Sequence, residues 1–128
     1  MTRFWITIDQ GVDFVIKSVE MMSGGEIFVP KLPVMKITDL ANAIAPDSEI
    51  EITGIRPGEK IHEEMISVNE ARTTFEYDDF YCIMPAYHSW IVEPPAGGVK
   101  TSEGFSYSSE HANQQISEQD LKRIVEST

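Results

Sequence analysis

The segment GIRPGEKIHEE, residues 54–64, places an arginine and a glutamate on either side of a Pro-Gly pair. A guanidinium group can bind a phosphate through two parallel hydrogen bonds, and a Pro-Gly pair favours a tight backbone turn. Arg56 could therefore bind an anion, while Glu59 could accept hydrogen bonds from hydroxyl groups such as those of a ribose. The same spacing also allows a surface ion pair between them, worth less than about 1 kcal/mol. Taken alone, the spacing favours the ion pair.

The charge of the chain makes the position of each arginine informative. With 21 acidic and 10 basic residues, the net charge is −11. Such a surface argues against binding to nucleic acids or to anionic membranes. An anionic ligand would need a local cationic pocket. Arg3, just before a strand-like run and a helix, is the second candidate, whereas Arg72 lies in a loop-like stretch and has a weaker claim.

Several familiar catalytic and metal-binding patterns are missing from the sequence. There is no GxGxxG or Walker loop to bind a nucleotide phosphate, and no tyrosine is followed by a lysine four residues later. The three histidines, His62, His88 and His111, are far apart, so no zinc site is predicted. No Ser-His-Asp triad can be argued from spacing.

Two features of the sequence bear on the cellular compartment of the protein: its single cysteine and the absence of long apolar runs. Cys82 excludes an internal disulfide and fits a reducing compartment; within the run FYCIM we expect it to be a buried, inert thiol. No apolar run approaches the roughly 20 residues of a membrane span. The N-terminus lacks the layout of a signal peptide, so we expect a cytoplasmic protein.

Four segments carry helix signals that would position these residues. Thr7 and Gln10 have the spacing of a capping box, and so do Ser117 and Asp120. The predicted helices run from Thr7 to the Gly24-Gly25 pair, from a cap at Thr38 to a stop at Pro46, over 59–66 with Ile61 and Met65 inward, and over 118–126.

Alternating or β-branched runs predict the strands. These are RFWITI at the N-terminus, EIFVP at 26–30, EIEITGI at 49–55 and a hairpin within 73–84 around Asp78-Asp79. The combination predicts a small α+β domain with short strands and about four helices. We predict one domain over 1–128, with a main body at 1–92, a flexible loop at 93–104 and a C-terminal strand and helix at 105–128.

Four motifs in order, TRFWIT, GGEIFVPK, ITDLA and RPGEK, make residues 1–85 closely resemble a known family. They resemble the C-terminal part of the inverting UDP-N-acetylglucosamine 4,6-dehydratases of bacterial surface polysaccharide biosynthesis. The likeness resumes weakly at FSYSSEHANQQISEQDL. These enzymes are extended short-chain dehydrogenase/reductases, in which an N-terminal Rossmann domain holds NADP and a smaller lobe closes over the nucleotide sugar.

The resemblance implies roles for three residues of this chain. Arg3 and Arg56 would contact the UDP diphosphate, and Glu59 the nucleoside. In the family, the dinucleotide fingerprint and the catalytic Tyr and Lys lie upstream of the segment that matches Met1. We therefore expect no catalytic residue, no metal and no bound cofactor in this chain, and no dehydratase turnover by the chain alone.

Two hypotheses follow. The chain is the substrate-binding lobe of such a dehydratase, with Arg3 and Arg56 at one anion site, or it is a stand-alone, non-catalytic module that binds UDP-sugars or a partner protein. A lobe that normally sits on a Rossmann domain should expose an apolar docking surface and either bind a separate Rossmann chain or self-associate. The candidates for that surface are Phe4, Trp5, Phe80 and Tyr81.

Overall fold

Short antiparallel strands alternate with helices along the chain. The computed structural model describes residues 1–87 and 93–126, and the elements within them confirm the predicted α+β class. The α-helices are α1 (Ile8–Met21), α2 (Ile37–Ile44) and α3 (Glu118–Glu126), and a 3-10 helix spans Glu70–Thr73. The strands are β1 (Thr2–Phe4), β2 (Ile27–Pro30), β3 (Val34–Lys36), β4 (Glu64–Ile66), β5 (Thr74–Glu76), β6 (Phe80–Ile83), β7 (Val99–Lys100) and β8 (Tyr107–Ser108).

Two compact units are interleaved along the sequence. The first comprises Met1–Trp5, Leu32–Glu63 and the chain from Ser108 onwards, and the second comprises Ile6–Lys31 and Glu64–Tyr107. Strands β1 and β3 pair in the first unit, strands β2, β6, β5 and β7 form an antiparallel sheet in the second, and β4 pairs with β8. The single domain over 1–128, with divisions at 92 and 104, stays a prediction.

Strand β6 is one of the two central strands of the four-stranded sheet, and all four of its residues are buried. Phe80 packs against the rings of Phe14, Phe28 and Tyr77, the last at a centroid distance of 4.4 Å. The hairpin predicted around Asp78-Asp79 is confirmed as β5 and β6, and the predicted strand at 26–30 is confirmed as β2. The position of β6 corrects one prediction, because Phe80 and Tyr81 belong to the core and cannot form a docking surface.

Strand β7 lies inside the segment predicted as a flexible loop. Its residues pair with β5, and nearby the Tyr77 hydroxyl donates a hydrogen bond to the carbonyl of Pro95 at 2.6 Å. A segment rich in Pro and Gly can therefore still contain a two-residue edge strand. The predicted flexibility of 93–104 stays a prediction.

Helix α1 begins where its capping box predicts. The Gln10 amide donates to Thr7 Oγ1 at 3.2 Å, and the Thr7 amide donates to Gln10 Oε1 at 3.0 Å. One side of the helix, including Phe14, faces the sheet of the second unit, but no residue of α1 is fully buried. Its exposed apolar residues are Ile8, Val12, Val15, Ile16, Val19, and Met22 just beyond its end.

The first unit is built on a strand pair and two helices. Strand β3, which the sequence did not predict, pairs with β1, and α2 packs on α3, where Leu121 is 1% exposed. The predicted start of α3 is confirmed, because the Asp120 amide donates to Ser117 Oγ at 3.1 Å. The predicted cap of α2 is wrong: Lys36 occupies the cap position without a side-chain hydrogen bond, and Thr38 lies inside the helix.

Two predicted elements between Glu49 and Ile66 are wrong. Residues 49–55 form no strand, and Ile52 is 90% exposed, because the described chain provides no neighbouring strand for this alternating segment. Residues 59–66 form no helix; the backbone is irregular to Glu63 and then becomes β4. Ile61 is accordingly exposed, whereas Ile66 takes the buried position.

The two remaining candidates for a docking surface lie in the first unit. Phe4 and Trp5 are half-buried. Among the described residues, no helix has the length and apolar character needed to cross a membrane.

We expect the Cys82 thiol to resist alkylation in the folded protein. Its side chain is 0% exposed, and burial raises its pKa to about 11, so little thiolate is present at pH 8 and reagents have no access to it. Mass spectrometry after iodoacetamide treatment at pH 8 should find unmodified native protein and complete modification in denaturant. Rapid modification of the native protein would contradict the placement of β6 in the core.

Candidate functional site

The RPGE turn is closed by two reciprocal hydrogen bonds. The Glu59 amide donates to the Arg56 carbonyl at 3.0 Å, and the Arg56 amide donates to Glu59 Oε2 at 3.1 Å. Gly58 has a φ of 82°, a left-handed conformation that glycine adopts without the steric cost of a Cβ. One carboxylate oxygen of Glu59 therefore shapes the turn, and the other is not used in these bonds.

The Arg56 guanidinium is available to a ligand. Within the residues that the structure describes, it makes no hydrogen bond or ion pair, and the residue is exposed. The alternative of an Arg56–Glu59 ion pair is wrong for this structure, because Glu59 bonds to the backbone of Arg56 and not to its side chain. An exposed guanidinium on a closed turn can offer both edges of its fork to a phosphate.

Arg3 is engaged with the chain itself. Its Nη1 donates to the carbonyls of Thr2 at 2.7 Å and Ile61 at 3.2 Å, and its Nη2 donates to the carbonyl of Lys60 at 2.9 Å. Its Nε lies 3.7 Å from Glu63 Oε1, and its side chain is 24% exposed. Arg3 therefore reaches the residues that directly follow the RPGE turn.

A second set of hydrogen bonds connects β1 to the same segment. Thr2 Oγ1 lies 2.7 Å from both His62 Nδ1 and Ser109 Oγ. The Glu63 amide donates to Ser109 Oγ at 2.8 Å, and the Ser109 amide donates to the Glu63 carbonyl at 2.8 Å. The Phe4 amide donates to Glu63 Oε2 at 2.9 Å. Residues 61–63 are thus held from both sides.

Sequence reasoning predicted Arg3, Arg56 and Glu59 as site residues but missed Thr2 and Ser109, which bond to the segment that follows the turn. The structure joins Arg3 to the segment that carries the other two; a common anion site for both guanidinium groups stays a prediction. Thr2 and Ser109 are 107 positions apart, and no local pattern connects them. The only sequence signal was the Tyr-Ser-Ser motif in the tail, which contains Ser109.

No candidate metal centre accompanies this site. Over residues 1–87 and 93–126, no group of three or more His, Cys, Asp or Glu side chains is arranged to hold a metal ion. The turn itself presents one exposed guanidinium and one partly used carboxylate, groups that recognise a ligand by charge and hydrogen bonding.

Comparison with known proteins identifies the family. Residues 1–85 match the family described as "Polysaccharide biosynthesis protein". This chain belongs to that family. The UDP-N-acetylglucosamine 4,6-dehydratases (inverting) of two Campylobacter jejuni strains are 45% and 44% identical to it across 100% of its length. The resemblance drawn from the TRFWIT and RPGEK motifs is thereby confirmed.

A solved structure agrees with this assignment. The X-ray structure of Pen from Bacillus thuringiensis matches 99% of this chain with a TM-score of 0.79 and 27% identity. The chain spans only 40% of each Campylobacter relative and 39% of the Bacillus protein. More than half of each relative therefore has no counterpart in this sequence.

We expect Gly58→Ala to strain the RPGE turn. Nothing lies within 4 Å of an added Cβ, so the cost comes from the left-handed backbone and should be about 1–2 kcal/mol of unfolding free energy unless the turn rearranges. Chemical denaturation measures the cost, and NMR of the Glu59 amide reports a rearrangement.

Gly11→Ala is the matched control. Gly11 lies within α1, and its added Cβ would meet only Ile6 Cδ1 at 3.9 Å, so the change should stabilise the chain by about 0.5–1 kcal/mol. A Gly58→Ala variant with unchanged stability and an unchanged Glu59 amide signal would contradict the described turn.

Proposed function

We propose that this chain is the nucleotide-sugar-binding portion of a UDP-N-acetylglucosamine 4,6-dehydratase that serves bacterial surface polysaccharide biosynthesis. The site is formed by Arg3, Arg56 and Glu59. The observation that carries the proposal is the Arg56 guanidinium, which is exposed on a closed turn and unused by the described residues of a strongly acidic chain. The family membership and the identity to the Campylobacter dehydratases supply the ligand class.

The proposed contacts follow from the donors and acceptors of the turn. The fork of Arg56 offers two parallel N–H groups, which match two phosphate oxygens of a UDP diphosphate. Glu59 Oε2 already accepts the Arg56 amide, so Oε1 is the oxygen available for a ribose hydroxyl. The closed turn holds both groups on one short segment, which reduces the entropy lost on binding.

The chemistry of dehydration would need groups that this chain does not carry. Its sequence has no Gly-rich loop for a dinucleotide and no Tyr-x-x-x-Lys pair. NADP, the cofactor that the family resemblance implies, would supply the hydride chemistry from the part of the enzyme outside this chain. We therefore propose that the chain alone binds a UDP-sugar without converting it. We also propose a cytoplasmic location, where a single unpaired cysteine needs no oxidising environment.

Helix α1 supplies the surface on which the rest of such an enzyme would dock. At about 100° per residue, its exposed apolar residues fall within about 120° of the helix circumference. The members of this apolar stripe are Ile8, Val12, Val15, Ile16, Val19 and Met22. A stripe of this size is expected at an interface, and the relatives carry more than half of their length outside the matched segment. We take that additional part, a Rossmann-type domain by family resemblance, as the partner.

We expect Arg56→Gln to weaken UDP binding by about 10-fold or more, because a charge-assisted hydrogen bond is worth about 1.5–3 kcal/mol. Isothermal titration of UDP into the purified chain measures the change. Arg72→Gln is the matched control, since it removes the same charge from another exposed position and should leave affinity within about 2-fold. Equal losses in both variants, or no binding by the unmodified chain, would contradict the proposed site.

A second experiment tests the apolar stripe of α1. The part of the Campylobacter enzyme that this chain does not match would be co-expressed with the chain and purified through a tag. We expect a complex with the unmodified chain and its loss in Val19→Lys, which places a charge where Val19 is 62% exposed. Glu20→Lys, the neighbouring position on the polar side of α1, should keep the complex. A monomeric chain without any complex would favour the stand-alone module.

A further inference from the structure

We propose that residues 49–55 bind a β-strand of the longer enzyme, and that this strand is the segment directly before β1 in the relatives. The identity of the partner rests on the proposed function, which assigns the additional length of the relatives to one enzyme with this chain. The pairing is a second contact, separate from the apolar stripe of α1.

The segment EIEITGI, residues 49–55, has the alternation of a strand and yet lies in solvent. All of its residues are exposed, with Ile50 at 46%, Ile52 at 90% and Ile55 at 58%. Within the residues that the structure describes, no hydrogen bond involves the backbone of this segment. Apolar side chains together with unpaired N–H and C=O groups are the features through which strand addition recognises an extended segment.

The order of the side chains defines the chemistry of the partner. In a strand, Ile50 and Ile52 point to one face and Glu49 and Glu51 to the other. Apolar side chains of the partner would cover the two isoleucines, whereas the two glutamates need neutral or basic residues opposite them. The partner is therefore an extended segment that is apolar on one face and carries no acidic residue against the glutamates.

A second copy of the same segment meets this requirement poorly. Parallel pairing in register sets Glu49 and Glu51 beside the same residues of the other copy. Antiparallel registers that place Ile50 opposite Ile50 or Ile52 bring Glu49 opposite Glu51, or Glu51 opposite itself. The net charge of −11 adds repulsion between whole chains. The charges therefore favour a different segment over self-association.

The position of β1 indicates where the partner segment would enter. The Thr2 amide donates to the Ile61 carbonyl at 3.0 Å, so Met1 lies near the residues that follow the RPGE turn. Ile55 and Ile61 are about six residues apart, which is at most about 20 Å of chain. A connection of similar length would bring a segment joined to Met1 alongside residues 49–55. The relatives have more than half of their length outside the matched segment, which is enough to supply it.

The pairing would also restrain the candidate site, because the new strand would end directly before Arg56. Residues 61–63, after the turn, already accept or donate hydrogen bonds with Thr2 and Ser109. Pairing of residues 49–55 would hold the chain before the turn, so that both of its ends would have a defined position.

The experiment is amide hydrogen exchange by NMR on the ¹⁵N-labelled chain, extended before Met1 by about 20 residues. The added residues are those that precede the matched segment in the Campylobacter dehydratase. A strand paired along one edge donates through every second N–H. We therefore expect alternate amides within 50–55 to exchange slower by about 10-fold or more than in the unextended chain. Unchanged exchange, or protection of successive amides as in a helix, overturns the proposal.

Two controls identify the partner. An extension of equal length made of Gly and Ser should leave the exchange of residues 50–55 unchanged, and equal protection from it would overturn the role of the native segment. The unextended chain is measured at two concentrations. Protection that grows with concentration would assign the strand to a second copy and would also overturn the proposal.

The variants Ile52→Asp and Ile52→Val test the apolar face of the segment. Because Ile52 is exposed in the unextended chain, neither change should affect the folding of that chain. In the extended chain, Ile52→Asp should lose most of the protection, and Ile52→Val should keep it within about 3-fold. Full protection in Ile52→Asp contradicts the pairing. No UDP is present, so the exchange result holds even if UDP does not bind, and unchanged exchange leaves the Arg56 titration valid.

Discussion

The hydrogen bonds from the Arg3 guanidinium to the carbonyls of Lys60 and Ile61 are the constraint on which the candidate site depends. Residues 49–63 contain no helix or strand, so their backbone must be satisfied by other means. A guanidinium is suited to this task, because its planar fork donates to several carbonyls at once. The RPGE turn can be exposed and still have a defined position because the residues after it are held.

The proposed site would let a strongly acidic chain bind an anion. Three nearby side chains already have partners within the chain. Arg3 donates to backbone carbonyls, and Glu63 pairs with Arg3 and accepts the Phe4 amide. One oxygen of Glu59 accepts the Arg56 amide. The Arg56 guanidinium is an exposed cation, and the nearby Glu59 carboxylate uses one of its oxygens to accept the Arg56 amide. A net charge of −11 then opposes non-specific anions, whereas a ligand that matches the turn gains directional bonds.

Local signals in the sequence predicted the elements that depend on local interactions. The capping residues Thr7 and Ser117 start helices where expected, and the hairpin forms because two runs rich in aromatic and β-branched residues flank the Asp78-Asp79 turn. The alternating segment at 49–55 misled the prediction, because alternation indicates a strand only where a neighbouring strand is available to pair with it. The short helix predicted at 59–66 failed because the contacts of residues 61–63 with Thr2 and Ser109 outweigh helix propensity.

For the site, sequence pattern and motif resemblance predicted Arg56, Glu59 and a ligand class, whereas the hydrogen bonds of Arg3 required coordinates. Whether an arginine faces solvent or donates to carbonyls 57 or 58 positions away cannot be read from spacing. Helix α1 was similarly predicted from its capping box, yet the sequence did not tell which of its sides faces the sheet. Two sides of α1 carry apolar residues, and only one of them packs against Phe80.

A crystal structure of the chain bound to UDP tests the central claim most directly. We expect the diphosphate within hydrogen-bonding distance of the Arg56 guanidinium and a ribose hydroxyl near Glu59. A structure in which UDP binds away from residues 54–63 would contradict this site.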